Sequence, residues 1–444
     1  MDRREFINTA VAGAGLSLLP GAARPGGNTA HGNEIHVALI GHGRQGGVLF
    51  DAMRNIPSLY FQAVCDIWEY RRKDALRRVR SLHRQTPNEY ADIDEMLATE
   101  KGLDAAIIAT PDSWHAPHTV KCLEAGLHVY CEKAMSNTLD GARAIVRAAE
   151  TSGKLCQIGY QRRSNPRYRY TLDQLINGNR ITGQIVNVNG QWNRSFSSSQ
   201  ELLFNPSLAA KQDVLSRYGY EDMRQLLNWR LYRDRSGGPI LDLGCHQIDV
   251  FNWFLGSAPK SVCAFGCNAW FKHREHFDSI LAVFEYDTPQ GPVRACEQVV
   301  TASPGIGGYY ESFMGTEGTI NLSEQAAYTN MVPSGNWMKW EELAHRGFLK
   351  QEEPLLRVNR LGNVVGSYPS HPPPDFQLPG DLSKPPHQPH LENFFAAVRG
   401  NGTLNCDARL AFASEAPVHW ANQSARTRQP ITFTGEHLSD SPGS

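Results

Sequence analysis

The sequence predicts an α/β fold in two domains, and three observations carry that prediction. Short apolar runs of strand length alternate with helix-length stretches from residue 36 to residue 158, the pattern of a parallel sheet wound with helices. The first run leads into a glycine-rich turn that opens directly into a helical stretch. At roughly 150 residues per domain, the 444 residues fit two domains better than one. Composition narrows the class further. Hydrophobic residues at 41% and charged residues at 20% exclude wholesale disorder. A balance of 44 Lys and Arg against 45 Asp and Glu argues against a protein built mainly to hold nucleic acid or an anionic membrane. Nine cysteines are too few for a disulfide scaffold.

The N-terminus carries an address. Met1-Asp2-Arg3-Arg4-Glu5-Phe6 precedes a weakly apolar run from Thr9 to Leu19, then Pro20-Gly21-Ala22-Ala23. Paired arginines, a nearby aromatic and a short apolar stretch resemble a twin-arginine (Tat) export signal. The run is about half the length needed to cross a bilayer, so no stable membrane anchor is expected. Residues 1–30 are set aside as signal and linker, and the expected location is the periplasm or another exported compartment. A chain exported already folded is loaded with any cofactor beforehand.

The first structured run is His36-Val37-Ala38-Leu39-Ile40, followed at once by Gly41-His42-Gly43-Arg44-Gln45-Gly46 and a helix through Met53. In that setting Gly41 permits the tight turn, Gly43 lets the backbone approach a pyrophosphate, and Gly46 lets helix pack on strand. A second run, Phe61 to Cys65, ends in Asp66, 20 residues after Gly46. An acid there accepts hydrogen bonds from ribose hydroxyls and repels a 2′-phosphate, which favours NAD over NADP. Arg71 and Arg72 follow closely and keep NADP as the alternative. Alternation continues with a helix at Asp94–Ala98 and a buried strand at Asp104–Ala109, ending in Thr110-Pro111-Asp112-Ser113-Trp114-His115. A helix near Thr119–Ala125 and a strand at His128–Tyr130 lead to Cys131-Glu132-Lys133-Ala134. A helix at about Gly141–Thr151 and a strand at Leu155–Ile158 close the first domain, 34–158.

The order G-x-G-x-x-G, acid, T-P-x-x-x-H and E-K resembles the Gfo/Idh/MocA oxidoreductases. Gly159-Tyr160-Gln161-Arg162-Arg163, Asn228-Trp229-Arg230 and Asp242-Leu243-Gly244-Cys245-His246-Gln247-Ile248-Asp249 add to the likeness. The resemblance implies an N-terminal Rossmann domain and a C-terminal α/β domain, here 159–430, with a large, open, mainly antiparallel sheet. It also implies a substrate site on that second domain and dimers or tetramers formed through the open sheet. Alternating runs at Ile185–Asn189, Ser279–Tyr286 and Arg294–Thr301 supply strands. One departure stands out: the usual E-K-P reads Glu132-Lys133-Ala134, which keeps the lysine but alters the loop.

The chemistry implied is oxidation of a sugar hydroxyl. It needs a base for the hydroxyl proton and donors for the developing alkoxide. Lys133 is the first candidate base, its pKa expected to fall through burial beside a cationic nicotinamide. His246 is the second. Asp242 and His246, four apart on one helix, share a face. Asp242 would orient the sugar, with Arg163, Trp229 and Arg230 as further substrate contacts. Asp249 reads as a structural cap or ion pair. The cofactor set is Gly41, His42, Gly43, Arg44, Gln45, Gly46, Asp66, Thr110, Pro111, His115, Glu132, Lys133 and Gln161. No metal is expected, since Cys245 and His246 are adjacent and no C-x-x-C or H-E-x-x-H spacing occurs.

Two segments look inserted. Residues 194–228 precede Trp229-Arg230 and would line or lid the sugar site. Residues 331–389 are proline-rich, suited to a long excursion without regular structure, with His371, His387 and His390 as loop residues. Trp192, Trp229, Trp270, Tyr309 and Tyr310 are candidates for stacking on a pyranose. Three functions remain open: a sugar or glycoside oxidoreductase with tightly held, internally recycled cofactor; a redox-neutral NAD-dependent glycoside hydrolase; and a non-enzymatic NAD-binding sensor.

Overall fold

The computed structural model describes residues 32–303, 308–335, 337–352, 375–380, 382 and 384–440. The twin-arginine motif, His371 and Pro372–Pro374 lie outside the described residues.

The first half alternates strand and helix: β1 (Ile35–Ile40), α1 (Arg44–Met53), β2 (Leu59–Cys65), α2 (Glu69–His83), β3 (Asn88–Tyr90), α3 (Ile93–Thr99), β4 (Ala105–Ile108), α4 (Asp112–Glu124), β5 (His128–Cys131), α5 (Leu139–Ser152) and β6 (Cys156–Ile158). The strands form one parallel sheet in the order β3-β2-β1-β4-β5-β6. Helices cover both faces, so β4 reads Ala-Ala-Ile-Ile and is buried throughout. The order reverses between β1 and β4, and the carboxyl ends there open the crevice where such sheets bind ligands. Helix starts follow side-chain caps. Asp92 accepts from the N–H groups of Asp94 and Glu95, and Thr138 from that of Gly141.

One boundary differs from expectation. Helix α4 begins at Asp112, seven residues before Thr119, and carries Pro117 inside it. The early N–H groups find partners elsewhere: Ser113 donates to the Arg235 carbonyl and Trp114 to that of Pro111. Pro117 therefore removes only one intrahelical bond.

The second half adds α6 (Pro166–Tyr170), β7 (Ile185–Ser195), α7 (Gln212–Arg217), α8 (Met223–Leu227), α9 (Cys245–Leu255), β8 (Pro259–Cys267), β9 (Ser279–Thr288), β10 (Gly291–Ser303), β11 (Gly308–Gly315), β12 (Gly318–Leu322) and β13 (Asn330–Pro333). Then come α10 (Trp337–His345), β14 (Lys350–Gln351), β15 (Phe376–Gln377), α11 (Gln388–Val398), α12 (Ala408–Thr427) and β16 (Ile431–Thr432). All ten strands join one sheet, β14-β15-β13-β12-β11-β7-β10-β9-β8-β16. Only the β7–β10 pair is parallel. Helices α9 and α12 cover one face, with Phe251, Phe254 and Phe313 packed between.

The proline-rich stretch is not wholly irregular. Its described parts give β13, α10 and two short strands that extend the sheet at one end, with Trp340 fully buried beneath Gly318. Helix α11 packs Leu391, Phe394, Phe395 and Val398 into the core of the first sheet beside Ile35, Leu49 and Phe50. The chain thus returns to close the first domain. His390 is accordingly a buried helix residue rather than a loop residue. It pairs with Ser164 Oγ at 2.6 Å and the Ile158 carbonyl at 2.9 Å. All nine cysteines are unpaired thiols, six of them buried, including Cys65, Cys131, Cys156 and Cys245.

Gly46 shows why helix α1 sits where it does. A Cβ there would lie 2.1 Å from the Gly41 carbonyl oxygen, which is backbone and cannot swing aside. Gly46→Ala is expected to cost about 1–3 kcal/mol and to lower the midpoint of thermal unfolding. An unchanged midpoint would contradict this packing.

Candidate active site

The carboxyl ends of β1, β2 and β4 face the second domain across a cavity of about 690 Å³, within the range of small-ligand sites. The glycine loop lines one end. Gly41 has φ +86°, and a Cβ on Gly43 would meet nothing within 4 Å. With Gly46 closed against Gly41, the loop leaves its open backbone face to the cavity, as a pyrophosphate requires. Asp66 lines the same end, and its two oxygens accept from His42 N–H at 2.8 Å and Trp68 N–H at 2.9 Å. Burial raises its pKa and these two bonds oppose that. Lone pairs remain on the carboxylate for ribose hydroxyls. Arg72 is tied to the Asp66 carbonyl and to Glu89, whereas Arg71 lies over Trp68 and lines the cavity. These residues fit an NAD.

Thr110, Pro111, Arg44, Gln45, Glu132, Lys133 and Gln161 also line the cavity. Gln45 Nε2 donates to Glu132 Oε1 at 3.2 Å and to His387 Nε2 at 2.9 Å. His387 is therefore a wall residue of the site and not a surface loop residue. The expected contacts His42, Gly46 and His115 sit behind the wall. His42 turns its ring to Asp74 and Phe50. His115 Nδ1 donates to the Ala134 carbonyl at 2.6 Å and so holds the turn after Lys133.

The centre of the cavity is a charge cluster. Lys133 Nζ lies 3.3 Å from Asp242 Oδ1 and also donates to the Asp242 carbonyl. Arg230 Nε reaches Oδ2 at 3.2 Å, and Arg194 Nη1 lies 3.8 Å from the same oxygen. Asp242 sits in a π-helical turn, Ile240–Gly244, continuous with α9, which begins at Cys245. That turn places Asp242 and His246 together on the cavity wall. Burial alone would raise the Asp242 carboxyl, but Arg230, Lys133 and Arg194 hold it well below the usual carboxylate range.

The expected fall in the Lys133 pKa does not occur. Burial favours the neutral amine, yet the Asp242 carboxylate outweighs it and holds Lys133 above its ordinary value. Lys133 is an ammonium. His246 moves the other way. Burial, with Lys133 and Arg162 nearby, pushes it well below the usual histidine range, and its Nδ1 has no partner. It is a neutral imidazole. Of the two candidate bases read from the sequence, the surroundings keep Lys133 charged and His246 neutral.

Aromatic rings finish the wall. Trp192 stacks on His246 at 5.5 Å and on Tyr309 at 4.4 Å, and the Arg162 guanidinium lies behind both Trp192 and Tyr309. Trp229 lines the cavity under Arg230. Trp270 is 63% exposed, and neither it nor Tyr310 borders the cavity. Arg163, expected as a substrate contact, does not line the cavity. It is buried against Asp249, Nη2 to Oδ1 at 2.7 Å, so Asp249 is the ion-pair residue its spacing suggested. Arg194 opens the 194–228 segment expected to line the site and does so, whereas Glu324 and His387 on the cavity wall were not expected there. Neither Glu324 nor His387 carries a local signal, because a turn brings the first there and the chain's return the second. Among the described residues no cluster of three His, Cys, Asp or Glu is arranged to hold a metal. No described helix is long and apolar enough to cross a membrane.

The fold and site together are those of an NAD-binding Rossmann protein, with a crevice that opens onto a lysine, a carboxylate and a neutral histidine. Residues 35–160 match the GFO_IDH_MocA description "Oxidoreductase family, NAD-binding Rossmann fold", and residues 212–433 match its "C-terminal alpha/beta domain". The chain belongs to the GFO/IDH/MocA oxidoreductase family. It is similar to an inositol 2-dehydrogenase of Rubrobacter xylanophilus, 29% identical over 65% of this chain and 71% of that protein. It is also similar to a glycosyl hydrolase family 109 protein of Stenotrophomonas maltophilia, 32% identical over 34% of each chain. Several curated relatives are matched over only 34–54% of their own length. In fold it resembles a levoglucosan dehydrogenase solved with NADH and levoglucosan, at TM-score 0.65, 16% identity, and 90% and 99% coverage of the two chains.

Asp112, one helical start away from the cluster, makes a stability prediction. Burial, then the Asp242 charge, raise its pKa to about 8 against the opposing pull of Arg230 and Lys133. A carboxyl raised from about 3.9 in the unfolded chain contributes stability in full below pH 4. That contribution is lost as pH rises towards 8. Asp112→Asn keeps an acceptor for Ser236 Oγ at 3.3 Å and removes the titration. Thermal unfolding midpoints should show the variant gaining on the parent by several degrees between pH 5 and pH 9. Parallel curves would refute it.

Proposed function

We propose that the chain is an exported NAD-dependent oxidoreductase acting on a hydroxyl of a sugar or glycoside, with a tightly held and internally recycled cofactor. The observation that carries this reading is the meeting of a lysine ammonium, a low-pKa carboxylate and a neutral imidazole in one cavity beside the glycine loop. When bound, NAD supplies the hydride-accepting centre. His246 takes the hydroxyl proton. The Lys133 ammonium stabilises the developing alkoxide. Asp242 holds Lys133 and Arg230 in place, and the Trp192–Tyr309 stack offers an aromatic face to a pyranose ring. Inositol and levoglucosan, named for two of the similar proteins, mark polyhydroxylated rings as the substrate class. The similarity to a glycosyl hydrolase family 109 protein favours a second reading, redox-neutral hydrolysis of a glycoside through a transient ketone.

Export rests on Arg3-Arg4 and Phe6. Replacing both arginines with Lys should abolish export of a reporter fused to residues 1–30. Assembly into a homodimer or homotetramer rests on the open face of the second sheet. There Phe265, 60% exposed, pairs across strands with Leu281, 44% exposed.

The deciding assay uses the purified chain with its bound NAD and no added cofactor, against cyclitols, free sugars and nitrophenyl glycosides. NADH or a stable keto-sugar supports the oxidoreductase, and aglycone release without net NADH supports the hydrolase. Inertness throughout the panel, with NAD bound, supports the sensor. His246→Gln should lower kcat about 10²–10⁴-fold and Lys133→Met about 10²–10³-fold, both with NAD still bound. With His246 already neutral, the acid limb of the kcat/KM profile should fall below the ordinary histidine range. Unchanged turnover in His246→Gln would sink the assignment of the base.

A further inference from the structure

Residues 196–228 do not merely border the sugar end of the cavity. Their own small core forms against the first domain, where Leu215, Tyr220 and Met223 bury with Trp68, two residues after Asp66. Trp68 Nε1 donates to the Leu208 carbonyl at 2.5 Å, across 140 residues of chain. Tyr218 donates its hydroxyl to Asp92 Oδ2 at 2.9 Å, and Arg217 pairs with the same carboxylate at 2.7 Å. Tyr218 also meets the Trp114 ring edge-on at 5.6 Å.

The segment is stapled to itself as well. Asn228 accepts from Leu202 N–H at 2.6 Å and donates back to the Leu202 carbonyl at 3.1 Å. Arg224 binds both oxygens of Glu201. Ser199, Leu202, Tyr218 and Leu226 then line the same cavity as Gly43, Asp66 and Arg71. Ser199 Oγ is buried there without a partner. The side of the crevice past Asp66 is the adenosine side, and the glycine loop takes the pyrophosphate.

We propose that residues 196–228 are a clamp over the adenosine and pyrophosphate half of the NAD site, so that NAD leaves only when the clamp detaches from Trp68 and Asp92. The clamp rests on the NAD reading and is independent of which sugar reaction follows. It converts an exchangeable co-substrate into a retained one. The release rate is then set by the small fraction of molecules with the segment detached.

Leu215→Ala and Met223→Ala loosen the anchor without touching the cavity. Each should speed NAD release about tenfold or more, read as loss of nicotinamide absorbance from the protein peak on gel filtration and by stopped-flow displacement. Release at the parent rate in variants that retain their fold by circular dichroism would overturn the clamp. Hydrogen exchange on the unaltered chain gives a test free of substitution. Adding NAD to the chain first stripped of its bound cofactor should slow exchange at 198–231 as strongly as at 41–47. Protection at 41–47 alone overturns the clamp and leaves the cofactor reading standing. Protection at neither takes both.

Discussion

The carboxylate of Asp242 is the constraint on which the site depends. It meets Lys133 from the end of β5, Arg230 from the turn after α8, and Arg194 from the end of β7. Those residues are separated by up to 109 positions in sequence. Asp242 is the carboxylate these three cations share, so its loss would leave the buried Lys133 ammonium without that partner. The cluster therefore ties Lys133 of the first domain to Asp242 of the second across the cavity. The same cluster sets three protonation states together: Asp242 ionised, Lys133 charged, His246 neutral.

A second buried layer keeps that cluster in register. Glu415 on α12 accepts from the N–H groups of Met135 and Ser136 and from the Tyr160 hydroxyl. The loop after Lys133 thus hangs on a helix of the second domain. Arg162 pairs with Glu311 beneath the Trp192–Tyr309 stack, and Tyr168 donates to the same carboxylate at 2.7 Å. Burial pushes the Glu311 carboxyl up, and Arg162 and the Tyr168 hydroxyl pull it back down. Arg162 Nε and Nη2 make no hydrogen bond to a described residue in this layer, so its order rests on the Glu311 pairing and on the aromatic rings around the guanidinium.

Much of this was legible from residue order. The glycine spacing after β1, the acid at position 66 and the strand–helix alternation lead to the first domain because each is a local pattern with a local cause. Lys133, Asp242 and His246 are legible as motif residues. Their protonation states are not, because a pKa answers to neighbours from every element that packs around it. Lys133 read alone is a lysine to be neutralised by burial, and beside Asp242 it is a lysine kept charged. Arg163 and Arg230 look equivalent in sequence. One is buried against Asp249 and the other opens onto the cavity, a choice made by packing around α9 and α12.

The sequence by itself determined the wound parallel sheet, its dinucleotide turn, the family and the identity of the central triad, since these rest on short-range spacing. Only the tertiary structure decided which residues share the cavity. Arg194, Glu324 and His387 reach it from a strand end, a turn and the chain's return across the first domain. Residues 196–228 became a wall of the nucleotide crevice because Trp68 offered them a core. Hydrophobic burial carries no sequence address, so the partner it selects is known only once the chain has closed on itself.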